Sequence, residues 1–311
     1  MPLTTVESGK TGRADSLQSG VIEIFREGKL YSAMPQALVQ GTGIHYNQEQ
    51  SLPGIGFRGV NESYTESTGV INPQSEALKI FGGDLDIDLA LEAMQGTEVR
   101  TAQVAMKVKA ARLKLEKTII KGDSTSDVNS FDGIQARIPS GSSQLISNAT
   151  NGAALSLDKL DELIDSVDET VSSGSPILIM NRTLRRKLSA ANRVASAVGN
   201  LTYSQDGLGR QQYTYNGVPI IDLDTDETGT DILQFNETQG SSTLCSSVYC
   251  IAPGAQGATL ITNGGIAVRD LGELDSKPVR RIRVEAYLGM AIFHPRAIAR
   301  LAGVTNAAVA A

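Results

Sequence analysis

The chain has no tryptophan, two cysteines, two histidines and only 5% aromatic residues in a length of 311. Each scarcity removes a class of function. Two thiols, Cys245 and Cys250, are too few for a disulfide framework or a four-ligand zinc site, and they read as free thiols of a reducing compartment. His45 sits in a glycine-rich stretch and His294 just before Pro295, and there is no G-x-S-x-G elbow. A histidine-based triad or a His-rich metal centre is therefore poorly supplied. Carboxylates are plentiful, but the lack of tryptophan leaves a poor platform for sugars. No run approaches the ~18 apolar residues of a membrane span. Residues 1–20 lack the apolar centre of a signal peptide. The expectation is a protein made in the cytoplasm that meets no membrane.

The net charge is -6. Such a chain does not gather nucleic acid by phosphate neutralisation over its whole surface, though it can enclose DNA without gripping it. What is present is ordinary for a folded protein: 41% hydrophobic and 20% charged residues. The length fits one large domain or two medium ones.

Along the chain, residues 1–20 are polar and read as an arm, followed by the apolar Val21, Ile22, Ile24 and Phe25. Residues 41–75 hold six glycines and two prolines among Ile44, Tyr46, Phe57, Val60 and Tyr64. The pattern predicts a long β-hairpin with its tip around Pro53–Gly59, too poor in apolar residues to bury itself. From Glu76 to Leu91 the chain alternates, with Leu85, Ile87 and Leu89 facing one way and Asp84, Asp86 and Asp88 the other. A helix is predicted over 97–121, capped by Thr97 and ended by Gly122, with Val99, Ala102, Met106, Ala110 and Leu113 as its buried stripe. A second unit begins near Gly152. Leu157 to Val171 predict an amphipathic helix with an acidic outer face, and Ile177–Met180 a buried strand. Asn181 is placed to cap the next helix, Asn216-Gly217 to turn the chain, and Val218–Leu223 to form a strand. Val279–Phe293 is the clearest strand, with Ile282, Val284, Ala286, Leu288, Met290 and Ile292 on one face. The layout is α+β or α/β.

Three patterns resemble known sites and fail on context. Gly54-Ile55-Gly56-Phe57-Arg58-Gly59 has dinucleotide-binding spacing, but Pro53 precedes it and no helix pattern follows. Asp84/Asp86/Asp88 and Asp222/Asp224/Asp226 lack the glycine and glutamate of a calcium loop, and read as a solvated strand edge or loop. The seven basic side chains of 97–121 surround the rod instead of forming one stripe, so they read as a mostly solvated helix and not as a nucleic-acid reader. Arg182, Arg185, Arg186 and Lys187 are expected to face water or the acidic helix 156–171.

Taken in order, these elements resemble the tailed-phage major capsid protein family, whose fold is the Hong Kong ninety-seven type, or Johnson, fold. The local patterns that carry the likeness are Lys121-Gly122-Asp123, Phe131-Asp132-Gly133-Ile134, Ile177-Leu178-Ile179-Met180-Asn181-Arg182-Thr183 and Tyr215-Asn216-Gly217-Val218-Pro219-Ile220. Near the C-terminus they are Ile266-Ala267-Val268 and Tyr287-Leu288-Gly289-Met290-Ala291, with Pro295 and Ala297-Ile298. The resemblance spans about residues 40–305.

It implies an α+β capsid fold with an N-terminal arm (1–40), an extended β-hairpin loop (41–78), a peripheral domain with a long spine helix (79–150 and 274–311) and an inserted apical α/β domain (151–273). It implies a major capsid protein assembling with itself into hexamers and pentamers of an icosahedral shell around double-stranded DNA, in the virion after assembly in the host cytoplasm. A separate scaffolding protein, a portal and a cementing protein are implied as partners, since no long scaffolding segment precedes the arm. No catalytic, cofactor or metal residues are expected. The contact candidates are Phe57, Arg58, Glu62, Tyr64 and Glu66. Residues 41–75 contain no lysine, so a covalent link from the loop is not expected. Two rival readings stand: an encapsulin-like nanocompartment shell, which shares the fold, and a cytosolic α+β enzyme.

Overall fold

The computed structural model describes residues 28–95, 98–168, 175–193, 201–205 and 211–310. The arm 1–20, the cap Thr97, and Val171 and Gly174 lie outside the described residues.

Two sheets and one long helix organise the body. Strand β4 (Lys79–Asp88), the longest pair β12 (Ala258–Leu274) and β13 (Lys277–Ile292), and short β1 (Gln36–Leu38) make a four-stranded sheet in the order β1-β12-β13-β4. The alternation in β13 plays out as expected, with Ile282, Val284, Ala286, Leu288, Met290 and Ile292 all buried. Directly opposite residues pair Arg283 with Asp84 and Arg281 with Asp86. Those carboxylates are thus bidentate partners of guanidinium groups, at 2.7 and 2.8 Å for Arg283 and 2.6 Å twice for Arg281. Strand β4 stops at Asp88, three residues short of the Leu91 to which the alternation runs. Asp88 Oδ1 accepts the Ala90 N–H at 2.8 Å, which caps the short helix α2 (Leu89–Gln95), so Leu89 opens a helix instead of continuing the strand.

The long helix α3 (Glu98–Lys121) has 24 residues, about 36 Å at 1.5 Å per residue. It packs on β4 and β13. Its buried stripe, however, is Val104, Val108, Leu115 and Ile119, with Ala111 against the core. Met106 is 64% exposed, and the stripe predicted through Met106 and Leu113 is corrected. Both sets satisfy a 3.6-residue period. The β-branched and leucine side chains bury more apolar area than the alanines and methionine do, and they set the rotation of the rod.

After α3 the chain closes a tight loop. Gly122 N–H bonds Thr118 O, and Gly133 N–H bonds Gly122 O, each at 2.8–2.9 Å. A Cβ on Gly133 would lie 2.7 Å from Gly122 N, so this backbone-on-backbone crossing needs glycine. Asp123 accepts from Thr125 and Ser126, and Asp132 from Ser124 N–H.

The larger sheet runs β5 (Leu145–Ser147), β14 (Ile298–Thr305), β11 (Ser242–Ile251), β6 (Ile177–Asn181), β9 (Val218–Leu223), β8 (Gln211–Tyr215), β7 (Leu201–Gln205), with β10 (Glu237–Gln239) beside β11. Helix α4 (Leu157–Asp165) packs on β14 and β11, and α5 (Arg182–Arg193) on β6 and β9. Asn181 caps α5 as expected, its Oδ1 accepting Thr183 N–H at 2.6 Å. Asn216 (φ 48°) and Gly217 (φ 82°) make the β8–β9 turn.

The sheets divide the chain differently from the expected boundary at 273/274. β12, placed in the inserted domain, hydrogen-bonds to β13. β14, placed in the closing peripheral part, lies beside β11 in the α/β sheet. Strand pairing across distant sequence decides membership, and linear patterning does not register it. One apolar core runs through both sheets.

Candidate assembly interface

Strands β2 (Gly43–Ser51) and β3 (Val70–Ala77) pair antiparallel from Gly43↔Ala77 to Ser51↔Val70. Among the described residues they form a two-stranded sheet of their own. Beyond them the chain 52–69 carries no further strand or helix. Phe57, Ile55 and Val60 are more than 90% exposed, and Leu52 is 77%. These side chains leave a bare apolar surface on the hairpin, of the kind that marks a candidate contact.

The tip has internal order. Gly59 N–H donates to Glu62 Oε2 at 2.8 Å, Arg58 Nη1 donates to Glu62 O at 3.1 Å, and Ser67 Oγ donates to Gly54 O at 2.9 Å. The Arg58 guanidinium lies 5.2 Å from the Tyr64 ring centroid. Arg58, Glu62 and Tyr64 are thus brought together, while Phe57 and Glu66 stand apart and exposed. The dinucleotide-like glycines belong to this tip, with no helix after them to receive a phosphate.

The base is clamped. Arg137 makes a two-pronged ion pair with Glu76 of β3, and donates to Met290 O and Asp132 O, both at 2.9 Å. Burial works against the Arg137 charge, but Glu76 more than offsets it and raises its hold on its proton. Gln48 Nε2 donates to Ile292 O at 2.6 Å, and the Tyr46 and Phe293 rings lie 4.9 Å apart. Burial, then the Glu76 charge, pushes the Tyr46 hydroxyl up. A cleft of about 390 Å³ opens beside the clamp, lined by Tyr46, Gln74, Arg137, Ser142 and Arg296. Sequence reasoning missed Arg137 and Glu76. They are 61 residues apart, and no local pattern ties them.

The basic helix is solvated on most sides over 101–110, as expected, but several of its cations are paired. Lys117 pairs with Asp226 at 2.8 Å, Lys114 with Glu227 at 3.3 Å, and Lys121 with Glu237 at 4.0 Å, while Arg100 pairs with Asp270. Glu237 also takes Arg300 at 2.9 Å. The three lysine bonds tie the C-terminal half of α3 to β10 and the segment after β9, while Arg100 ties its N-terminal end to β12. Asp226 is buried rather than solvated, because it satisfies Lys117 and the Thr228 and Thr230 amides. The Lys117 bond, then that of Thr228, holds its carboxyl far below the usual range. Arg182 and Arg185 turn to Asp222 and Asp224, not to the acidic helix. Among the described residues no group of three or more His, Cys, Asp or Glu could hold a metal ion, and no helix is long and apolar enough to cross a membrane.

A spine helix on a long-stranded sheet, a mixed α/β sheet and a projecting hairpin define the Hong Kong ninety-seven type of shell protein. Residues 104–303 match the phage capsid family, and the chain belongs to that family. No curated protein sequence matches it. Among solved structures it is similar to the holo-SrpI encapsulin complex from Synechococcus elongatus PCC 7942, at 16% identity over 91% of this chain and 89% of that one, TM-score 0.64. The capsid of the native GTA particle matches at 15% identity over 89% and 90%, TM-score 0.61. Mycobacterium phage Bobi matches at 11% over 87% and 88%, TM-score 0.59. These likenesses are of fold. With the family, they make the chain a structural shell protein that associates with itself.

Proposed function

We propose that the chain is the major capsid protein of a tailed phage, assembling as hexamers and pentamers into an icosahedral shell around double-stranded DNA. The observation that carries this reading, beside the family match, is the hairpin. Its tip bares Ile55, Phe57 and Val60, and its base is fixed by Arg137. A lone subunit gains nothing from holding an apolar tip out on a braced arm; a lattice of copies does. Phe57, Arg58, Glu62, Tyr64 and Glu66 are the proposed contacts with a neighbour. Closed shells need head-to-tail contacts of this kind, in which one patch meets a different patch.

In this reading the four-stranded sheet with α3 is the peripheral layer, and the α/β sheet is the apical layer at the capsomer centre. A net charge of -6 suits a wall that encloses DNA without binding its sequence. Scaffolding, portal and cementing functions fall to separate proteins, and assembly to the host cytoplasm.

The likeness to an encapsulin favours a second reading, a nanocompartment that holds protein cargo. The contents of particles separate the two. Particles recovered from the producing cells are treated with nuclease, opened, and their contents analysed. Protected genome-length DNA supports the phage shell. A stoichiometric cargo protein without DNA overturns it in favour of the nanocompartment.

A further inference from the structure

Glu116 is a buried carboxyl, only 5% exposed. It belongs to α3 but serves another helix. The carboxylate accepts the backbone N–H of Leu30, in the first turn of α1 (Lys29–Ala33). Gly28, the N-cap of α1, gives no side-chain cap, so Glu116 caps that helix from across the contact. Its other demand is unmet: Oε1 is buried without a hydrogen-bond partner. The charges that face it are Arg112 on its own helix, Lys29 on α1, and Asp224 on the segment after β9. Burial outweighs the two cations and holds the Glu116 carboxyl above its usual range. The rest of the α1 contact is made by buried Leu30, Tyr31 and Met34, and by an ion pair of Lys29 with Asp222 of β9 at 2.7 Å.

We infer that Glu116 is a proton-operated latch for α1: neutral, it seats the helix on the spine; ionised, it loosens it. The proton is exchanged with solvent, and no other group changes state. A carboxyl that holds its proton more tightly when α1 is seated makes seating bind a proton. Seating is then strongest below the ordinary carboxylate range and weakens as pH rises through the higher, seated value. Its use in a shell rests on the proposed function; the latch itself does not.

The test is hydrogen-exchange protection of the Leu30–Met34 amides in the full-length, unassembled chain, corrected for intrinsic exchange, from about pH 4 to about pH 8. In the wild type, protection falls as pH rises. In Glu116→Gln, which keeps an acceptor for Leu30 and cannot ionise, protection stays at the acid-pH level throughout. Lys29→Met, at a side chain 58% exposed, removes a cation that favours the ionised form and extends the loss of protection upward in pH. A flat wild-type profile, or equal slopes in wild type and Glu116→Gln, overturns the latch. If Glu116→Gln does not fold, an unmoved Lys29→Met profile overturns it. Because the subunit is unassembled, none of these results bears on whether it builds shells.

Discussion

The hairpin clamp gives the sharpest energetic prediction. Arg137 and Glu76 keep only 14% and 20% of their side chains exposed. Replacing Arg137 by Met leaves the Glu76 carboxylate mostly buried without its cation, and takes a donor from the carbonyls of Met290 and Asp132. Removing one partner of a fully buried pair costs ~3–5 kcal/mol, against ~0.2–1 kcal/mol for an exposed pair. Partial access to water puts Arg137→Met near the lower end, about 3 kcal/mol. The assay is urea unfolding of the unassembled subunit at constant m-value. Arg137→Met with Glu76→Met should be more stable than Arg137→Met alone, since the stranded charge is gone. A single variant costing under about 1 kcal/mol, or a double variant costing the sum of the two singles, refutes the clamp.

Three further outcomes are expected. Val108→Asp should cost several kcal/mol, at least ~3, by burying a charge where exposure is 0%, while Met106→Asp stays within about 0.5 kcal/mol; equal costs in a thermal or urea melt would return the stripe to Met106. Asp226→Asn should lose about 1.5–3 kcal/mol through its charge-assisted bonds. Because the folded carboxyl of Asp226 is held below its usual range, its contribution is complete above about pH 4 and fades only as pH falls further; an acid-unfolding curve that is the same in wild type and Asp226→Asn speaks against this. With no lysine in 41–75, mature particles boiled in reductant should run as one band near the chain mass of 32.9 kDa, and a ladder of multimers that survives reduction would show a covalent lock.

The sequence exposes some of this architecture and hides the rest for identifiable reasons. Strand β13, the hairpin, the Asn181 cap and the Asn216-Gly217 turn all follow from local chemistry, and all appear. Of strand β12 only Ile266-Ala267-Val268 shows in the sequence, by its resemblance to a closing strand of the family, because Gly264 and Gly265, at φ 82° and 74°, sit in a register shift between Thr262 and Ile266 that breaks the alternation. Helix α3 was legible in extent but not in rotation, because alanine-rich and valine-rich stripes share one period. The ion pairs of Lys114, Lys117 and Lys121 join segments more than a hundred residues apart, beyond any spacing rule. The tip residues were legible because glycine, proline and unburied aromatics cluster there; the clamp beneath them was not.

The central claim is that copies of this chain build a shell in which the hairpin reaches a neighbour. Cryo-electron microscopy of the expressed, purified chain tests it directly. The account predicts closed shells with residues 52–69 of each subunit covered by an adjacent one, and Phe57 in contact there. Small discrete oligomers, or shells in which Ile55, Phe57 and Val60 remain bare, would contradict it.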